Sequence, residues 1–485
     1  MLSRPLLAYA GQPDWYRAPM LSPTEIMVGP KYQTQSDSNG YRTIQTPAGE
    51  FDMAKLVAGL GEGQKPDALV VQVNRSAQTI ARNLYGFAGP KVLAVGDTHH
   101  MQNPVSFALE YAASESFDAI ILEFTRQHAH WFSEAGFDAV HWLPLFSVNP
   151  RERVIAETQT AGVAMIGAMG KYHPYRQHVI AGLQQAGVPV GIAQLPQSDA
   201  TDVYAKTAIS LNVSLNGDLN LRCVEVLAAG GCLLTDQLAP QAGLDHLFED
   251  GVDLRIFSDL ETAVDIVKTL LGEPEKTYKL RQTGQKKALQ QHSGPTKVAH
   301  LNTILKGEQI ADHFHLRHEP RCAREVIGLA ATLQRVRLYD AIQELHRCHP
   351  VSRVVVGAGV DPKVIGDLAD LPRLERVRGF AEETNAATTA QMKADDVESQ
   401  VHTTHSLQHS LTGTVPTAVM LTVDEATDQT LDQVARASCV ECVILTDARA
   451  GAVGHAVAER TAALARHGFQ LSDPLTPTFM RSVLS

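Results

Sequence analysis

The sequence predicts an α/β protein made of two Rossmann-like domains that face a cleft, followed by a third α/β domain. Short apolar strands alternate with helix-like segments along the chain, which is typical of mostly parallel sheets. The 485 residues suffice for two or three domains. A Pro-containing break at 147–150 separates the first two, because Pro disfavours regular structure around it. The predicted boundaries are 1–148, 149–305 and 306–485.

The first predicted domain is organised by buried apolar strands. We predict four of them, separated by helix-like segments, at 6–10, 68–73, 92–95 and 119–124. The stretch 33–49 is polar and rich in turn residues, so we predict a loop there.

The second predicted domain repeats the strand–helix alternation. Asp218 occupies an N-cap position before a helix that carries Arg222 and Glu225, and Gly230-Gly231 should end this helix. The expected strands are 163–166, 188–193, 209–213, 233–236 and 254–257, followed by helices from 259, over 275–291 and over 297–305.

The third predicted domain contains a strand that ends in a Gly-rich turn at 357–361. Further strands are expected at 418–423 and 442–446, a helix at 452–467, and a terminal hairpin within 469–484. The segment 382–410 is polar and lacks a core pattern.

Composition narrows the function classes. The net charge of −11 argues against a nucleic-acid binder and against simple binding to anionic membranes. The sequence contains no run of 18 apolar residues, and the apolar stretch near its start is too short for a signal peptide, so we expect a cytoplasmic protein. Cys439 and Cys442 are interpreted as two buried thiols, and His99-His100 as loop histidines rather than metal ligands.

The segment 211–236 indicates a ligand with phosphates and ribose hydroxyls. Arg222 and Glu225 lie three residues apart, so their side chains share one helix face. A guanidinium suits a phosphate, and a carboxylate accepts hydrogen bonds from hydroxyls. The alternative is an ordinary crossover helix with a surface Arg–Glu pair.

This segment resembles the nucleotide-sugar site of GT-B glycosyltransferases, in particular the CgeB-like branch of the group 1 transferases. Position 217 is Gly where many retaining enzymes have a second glutamate, so we expect the donor sugar to be held differently. The residues that carry the resemblance are Asn220, Arg222, Glu225, Ala228 and Gly230, the strand Leu233–Asp236, and Gly284 and His292 further on.

The resemblance implies further site residues. A Gly-x-x-x-x-x-His-x-x-Arg pattern beside the donor diphosphate is matched at Gly167, His173 and Arg176. Asp97 would act as a base or stabilise charge, and His99 would bind the donor sugar, although Asp97 could instead cap the next helix. The remaining substrate-binding residues are Lys171, Asn212 and Asn220.

The implied function is transfer of a hexose from a UDP-, GDP- or TDP-linked sugar to an unidentified hydroxyl of a glycan, lipid-linked or protein acceptor. The absence of an Asp-x-Asp motif favours a reaction that needs no metal or other cofactor. The first domain would lie on the acceptor side and the second would bind the nucleotide sugar. The alternatives are a nucleotide-sugar 2-epimerase and a non-catalytic scaffold.

The third domain loosely resembles a class I methyltransferase core. Its Gly357-x-Gly359 turn lacks a third Gly, so we interpret the domain as degenerate, serving homo-oligomerisation or acceptor docking.

Overall fold

The computed structural model describes most of the first 306 residues and shorter stretches after them. Contacts between Cα atoms divide the chain into two compact units, Met1–Leu329 and Ala330–Ser485. The finer boundaries at 148 and 305 stay predictions. The described residues are 3–9, 25–37, 40–73, 79–100, 102–156, 159–170, 173–306, 308, 316, 322, 324–348, 353–357, 363–368, 371, 376–380, 401–404, 417–422, 426–437, 440–446, 462, 464–466, 469–473 and 478–481.

The first unit begins with an eight-stranded sheet. Several of its strands are buried along their whole length, as expected for parallel strands covered on both faces. The elements in chain order are β1 (Pro5–Ala8), β2 (Ile26–Gly29), β3 (Gln35–Asp37), β4 (Gly40–Gln45), β5 (Gly49–Asp52), α1 (Met53–Ala58), β6 (Ala68–Val73), β7 (Thr79–Arg82), β8 (Lys91–Val95), α2 (Pro104–Ser114), β9 (Ala119–Leu122), α3 (Ala129–Ala135) and β10 (Val140–Trp142).

The strand order of this sheet is β10-β9-β8-β6-β1-β2-β4-β3, and only the β3–β4 pair is antiparallel. The four predicted strands are confirmed. The loop predicted for 33–49 is wrong, because β3 and β4 form a hairpin there, with Asp37 opposite Gly40. Since β4 also pairs with β2, backbone hydrogen bonds hold this polar edge without an apolar side-chain pattern.

The same unit continues with a five-stranded, fully parallel sheet of order β12-β11-β13-β14-β15. Met165, Leu211 and Leu234 on its strands pack with Leu183 and Val267 on covering helices in one buried core. The elements are β11 (Thr160–Ile166), α4 (Pro174–Gln185), β12 (Val190–Ala193), α5 (Gln197–Lys206), β13 (Thr207–Asn212), α6 (Arg222–Ala228), β14 (Leu233–Asp236), α7 (Leu244–Leu247), β15 (Arg255–Phe257), α8 (Leu260–Gly272), α9 (Pro274–His292) and α10 (Gly294–Leu305).

These elements match the strands and helices predicted for 163–305, with one correction at the start of α6. The N-cap predicted at Asp218 is wrong, because the helix begins at Arg222 and the Asn220 side chain accepts from the Arg222 N–H at 3.1 Å. The predicted end is confirmed, since Gly230 has a φ of +72°, which favours glycine.

Residues 143–150, which follow β10 and are called the linker below, are held by two buried charged side chains. Lys297 on α10 donates from Nζ to the carbonyl oxygens of Leu145, at 2.5 Å, and Val148. Glu123, directly after β9, accepts from the Ser147 N–H at 2.7 Å. Burial lowers the pKa of Lys297 to about 7, against the opposing effect of the Glu123 charge, and burial raises the pKa of Glu123. Each charge favours the other, while hydrogen bonds with the backbone hold both side chains in place.

The second unit contains a seven-stranded sheet of order β18-β17-β16-β19-β20-β22-β21, in which β22 is antiparallel to both neighbours. Its core includes Val355, Val419 and Val443. The elements are α11 (Leu329–Cys348), β16 (Arg353–Val356), α12 (Lys363–Leu368), β17 (Arg376–Phe380), β18 (Val401–Thr404), β19 (Thr417–Thr422), α13 (Asp428–Arg436), β20 (Val440–Thr446), β21 (Phe469–Asp473) and β22 (Thr478–Arg481).

The predictions for this unit are confirmed where the structure describes them. The strands β16, β19 and β20 and the β21–β22 hairpin are present. Most of the predicted helix 452–467, most of the turn 357–361, and Cys439 lie outside the described residues. The methyltransferase likeness stays a prediction.

None of the helices in the described ranges is long and apolar enough to cross a membrane.

Replacing Lys297 with Met should lower the free energy of unfolding by about 1–3 kcal/mol, because the buried Leu145 and Val148 carbonyls would lose their donor and Glu123 a favourable charge. The double variant Glu123→Gln/Lys297→Met should recover part of this loss. Urea denaturation followed by circular dichroism measures both. Lys306→Met, at the exposed end of the same helix, is the matched control and should change stability by no more than about 0.5 kcal/mol. Equal stability of Lys297→Met and wild type would contradict the role of this charge pair.

Candidate functional site

The loop that follows β13 lies against loops at the carboxyl ends of β8 and β9, within the first unit. The Leu219 N–H donates to the Phe124 carbonyl at 2.9 Å, and Gln127 Nε2 donates to the Gly217 carbonyl at 3.1 Å. Asn216 Nδ2 approaches the His99 carbonyl at 3.4 Å. Carboxyl ends of parallel strands form the usual ligand site of such sheets. The residues predicted around 97–99 and around 212–225 therefore lie in one region.

His99 lies between two carboxylates, that of Asp97 in the loop after β8 and that of Asp218 in the loop after β13. Its Nδ1 is 3.2 Å from Asp97 Oδ1, and its Nε2 is 3.3 Å from Asp218 Oδ2. Both His99 and Asp218 are buried. The sequence predicted a site role for Asp97 and His99 but not for Asp218, whose contact with His99 joins residues too distant in the chain for any spacing rule.

Asp97 is held as an anion. Burial raises its pKa, but the charges of His99 and His100 and their hydrogen bonds outweigh burial, so the pKa lies well below its usual range. Its Oδ1 accepts from the backbone N–H groups of His99 and His100, both at 3.0 Å. A carboxylate with so low a pKa is a weak base, and the two predicted roles of Asp97, as a base and as a stabiliser of charge, stay predictions.

The same three residues could hold a metal ion. One ligand atom each from Asp97, His99 and His100 lie within 4.8 Å of one another, a cluster found among the described residues. Two backbone N–H groups already occupy Asp97 Oδ1. Hydrogen bonding within the loop thus accounts for this one oxygen, and the interpretation of His99-His100 as loop histidines rather than metal ligands stays a prediction.

Arg222 is held under the turn that follows β11. Its Nε donates to the Ile166 carbonyl at 2.8 Å, and its Nη1 donates to Asn212 Oδ1 at 2.6 Å. Asn220 Nδ2 donates to the same Asn212 oxygen at 2.9 Å. Within the described part of the chain no hydrogen bond is recorded for Nη2, and the side chain is partly exposed. The guanidinium is thus fixed while one nitrogen stays available to a ligand.

Gly167 makes room for this guanidinium. A Cβ at position 167 would lie 2.4 Å from Arg222 Nη2, and the φ of +152° is one that residues with a side chain rarely adopt. The predicted diphosphate turn needs a small residue at position 167, and the space that Arg222 occupies is a second reason for a glycine there.

Arg176 and His173 lie beside the same turn. Arg176 is buried and donates from Nη1 to the Ala168 carbonyl at 2.6 Å and from Nη2 to the Val213 carbonyl at 2.8 Å. It thereby connects the turn after β11 with the loop after β13, and its contact with a phosphate stays a prediction. Burial, followed by the charge of Arg176, lowers the pKa of His173 to about 4, so this ring is neutral at pH 7. Lys171 lies outside the described residues.

Glu225 lies on the first turn of α6 and is 5% exposed. Gln197 Nε2 donates to its Oε1 at 2.8 Å. Burial raises the pKa of Glu225 to about 7, although this hydrogen bond and the charges of Arg222 and Arg151 oppose the change. Sequence reasoning missed Gln197. The position of Gln197 shortly after β12, at the carboxyl end of a strand, is the one signal that could have identified it.

Several solved structures are similar at low sequence identity. Sucrose-phosphate synthase from Thermosynechococcus elongatus is 10% identical, covers 63% of this chain and 98% of its own, and has a TM-score of 0.43. Anabaena HepE in complex with UDP and glucose is 12% identical, covers 63% and 100%, and has a TM-score of 0.43. A glycosyltransferase from Rickettsia africae is 9% identical, covers 63% and 98%, and has a TM-score of 0.45. No curated protein matches the chain.

A family model described as "Glycosyl transferase-like" matches residues 155–302, from just before β11 into α10. The matched segment contains Gly167, Arg222 and Glu225, whose geometry is described above. The chain therefore contains a glycosyl transferase-like domain at residues 155–302.

Proposed function

We propose that this protein transfers a hexose from a nucleotide sugar to a hydroxyl acceptor. The observation that carries the proposal is the joint placement of a fixed guanidinium, Arg222, and a buried carboxylate, Glu225, on one helix inside the matched domain. Asp97 and His99 lie beside the loop that precedes this helix, since His99 contacts Asp218 of that loop. A reacting sugar would need charged and hydrogen-bonding groups there.

In this proposal the second sheet binds the donor nucleotide. Glu225 accepts hydrogen bonds from the ribose hydroxyls, and Arg222 Nη2 binds the diphosphate. Asn212 and Asn220 keep Arg222 in place, Arg176 holds the turn after β11, and Lys171 and His173 complete the diphosphate site. A fixed cation stabilises the leaving diphosphate as its negative charge develops, with no reorganisation at the moment of reaction.

The reacting sugar would lie near Asp97 and His99. The bond between the anomeric carbon and the diphosphate oxygen breaks, with its electron pair leaving on the diphosphate, and the acceptor oxygen bonds to that carbon while its hydroxyl proton passes to water. Positive charge builds on the sugar ring in between, as in other glycosyl transfers and hydrolyses. The low pKa of Asp97 keeps a negative charge available for this state. His99, whose two ring nitrogens face Asp97 and Asp218, would contact the donor sugar.

The acceptor in this proposal is a hydroxyl of a glycan, a lipid-linked sugar or a protein, bound on the side of the first sheet. The second unit, Ala330–Ser485, would be a degenerate methyltransferase-like module for acceptor docking or homo-oligomerisation. Incubation with UDP-, GDP- and TDP-sugars alone tests the reaction class. A transferase hydrolyses one of them slowly, whereas isomerisation would indicate an epimerase, and no turnover even with acceptors would indicate a scaffold.

Glu225→Gln should weaken binding of the tightest nucleoside diphosphate by about tenfold or more, since a hydrogen bond to a charged group contributes about 1.5–3 kcal/mol. With a pKa of about 7, the wild-type carboxylate ionises between pH 6 and 8, so wild-type affinity should rise about tenfold over that range and the variant should show no such rise. Calorimetric titration measures both, with circular dichroism as the folding control. Equal affinities in two folded proteins would contradict the proposed nucleotide site.

Gly167→Ala should weaken nucleoside diphosphate binding about tenfold, because its methyl group would displace Arg222 Nη2 and the backbone at this φ would be strained. The salt dependence of binding should decrease as well, since a phosphate–guanidinium contact is screened by salt. Gly170→Ala is the matched control, because a Cβ there meets nothing within 4 Å. If both alanine variants bind equally well, Arg222 is not positioned by Gly167 for the diphosphate.

Chelation by EDTA should leave sugar transfer or donor hydrolysis unchanged, because the proposal assigns the diphosphate charge to Arg222 and Lys171. The measurement is the initial rate before and after exhaustive chelation. A loss of activity that zinc or manganese restores would instead identify Asp97, His99 and His100 as metal ligands.

A further inference from the structure

Gln197, the first residue of α5, connects Glu225 to the linker between the two sheets. It is 4% exposed, and its Nε2 donates to Glu225 Oε1 at 2.8 Å and to the Asn149 carbonyl at 3.3 Å. Because both contacts are with acceptor oxygens, the end of the amide that makes them is the NH₂ group. The opposite orientation would place the amide oxygen against two other oxygens. Within the described residues Gln197 Oε1 has no hydrogen-bond partner, so the NH₂ group provides the recorded polar contacts of this side chain.

Asn149 belongs to the segment that also contains the residues held by Lys297 and Glu123. The Leu145 and Val148 carbonyls accept from Lys297, and the Ser147 N–H donates to Glu123. The next residue along the chain after Val148 is the one that Gln197 contacts. The described contacts thus run without interruption from the Glu225 carboxylate, through one amide, to the linker.

We propose that Gln197 is a positioning residue whose amide orients the Glu225 carboxylate for the nucleotide and makes the linker conformation depend on nucleotide binding. This inference rests on the proposed function, since it takes Glu225 as the group that binds the nucleotide.

The coupling follows from hydrogen-bond chemistry. The NH₂ group has two hydrogens, so it can donate to the carboxylate and to the Asn149 carbonyl at once. Ribose hydroxyls that donate to Glu225 favour its ionised form, and an ionised acceptor forms the stronger hydrogen bond with Gln197. When Glu225 holds the Gln197 amide more firmly, the hydrogen bond from this amide restricts the Asn149 carbonyl more strongly. Nucleotide binding should therefore slow backbone opening in the linker.

The test uses the full chain, UDP as the probe, and the variant Gln197→Met, which keeps the length of the side chain but cannot donate. Gln285→Met is the matched control, because Gln285 Nε2 also donates to two backbone carbonyls, those of Arg153 and Ala228, without contacting Glu225. Gln197→Asn is a second variant that keeps the amide but is too short to span both acceptors. Circular dichroism confirms that each variant is folded.

Two readouts separate positioning from a general structural role. UDP affinity at pH 7 should fall about tenfold in Gln197→Met, and the midpoint of the affinity–pH curve should move to higher pH, because a hydrogen bond that stabilises the carboxylate is lost. In wild type and in Gln285→Met, UDP should slow hydrogen exchange of the backbone amides at 143–150. This effect should be absent in Gln197→Met and Gln197→Asn.

The outcomes distinguish the two proposals. If Glu225→Gln loses affinity while both Gln197 variants keep the wild-type pH midpoint and the UDP-dependent exchange at 143–150, Gln197 is not the connection and this inference is wrong. If Glu225→Gln binds UDP, GDP and TDP as wild type does, the proposed nucleotide site is wrong, and the role of Gln197 toward a nucleotide is wrong with it.

Discussion

The arrangement of the two sheets in the first unit depends on how the linker between them is held. The Lys297 side chain on α10 donates to two carbonyls of the linker. Glu123, directly after β9, accepts a hydrogen bond from a linker N–H. A buried ion needs both a counter-charge and hydrogen bonds to offset its desolvation, and here the linker backbone supplies the hydrogen bonds. The contacts between His99 and Asp218 and between Leu219 and Phe124 join the same two sheets beyond the linker.

Two carboxylates at the site have pKa values displaced in opposite directions, and the reason is their neighbours. Asp97 is partly buried beside two histidines and two backbone donors, so its charge is favoured. Glu225 is more deeply buried, at 5% exposed, and its recorded hydrogen bond comes from one neutral amide, so burial prevails and its pKa rises to about 7. Such a pair divides the work between a permanent anion and a carboxylate whose charge depends on its ligand. In the proposed function the first would stabilise a cationic sugar, and the second would accept from ribose hydroxyls.

The sequence predicted those features that depend on neighbours in the chain. Buried strands were recognised from apolar runs, the common face of Arg222 and Glu225 from helical spacing, and the end of α6 from Gly230. Two local predictions were wrong: the polar hairpin β3–β4 is held by backbone pairing, and α6 begins at Arg222, whose N–H donates to the Asn220 side chain rather than to Asp218. Contacts between distant segments carry no periodic signal. The pairing of Gln197 with Glu225, of His99 with Asp218, and of Lys297 with the linker could not be predicted for that reason.

The cationic part of the site shows how the fold prepares a binding group before a ligand arrives. A free arginine side chain loses rotamer entropy when it binds a phosphate, and this loss reduces affinity. Arg222 has already lost that freedom, because the Ile166 carbonyl and the Asn212 side chain hold its Nε and Nη1. Arg176 goes further and donates from both Nη atoms to backbone carbonyls, so its contribution is to keep two loops at a fixed separation. The geometry therefore separates the two arginines: Arg222 keeps one nitrogen without a recorded hydrogen bond among the described residues, whereas Arg176 holds the turn after β11 to the loop after β13, and contact of either with a diphosphate stays a proposal.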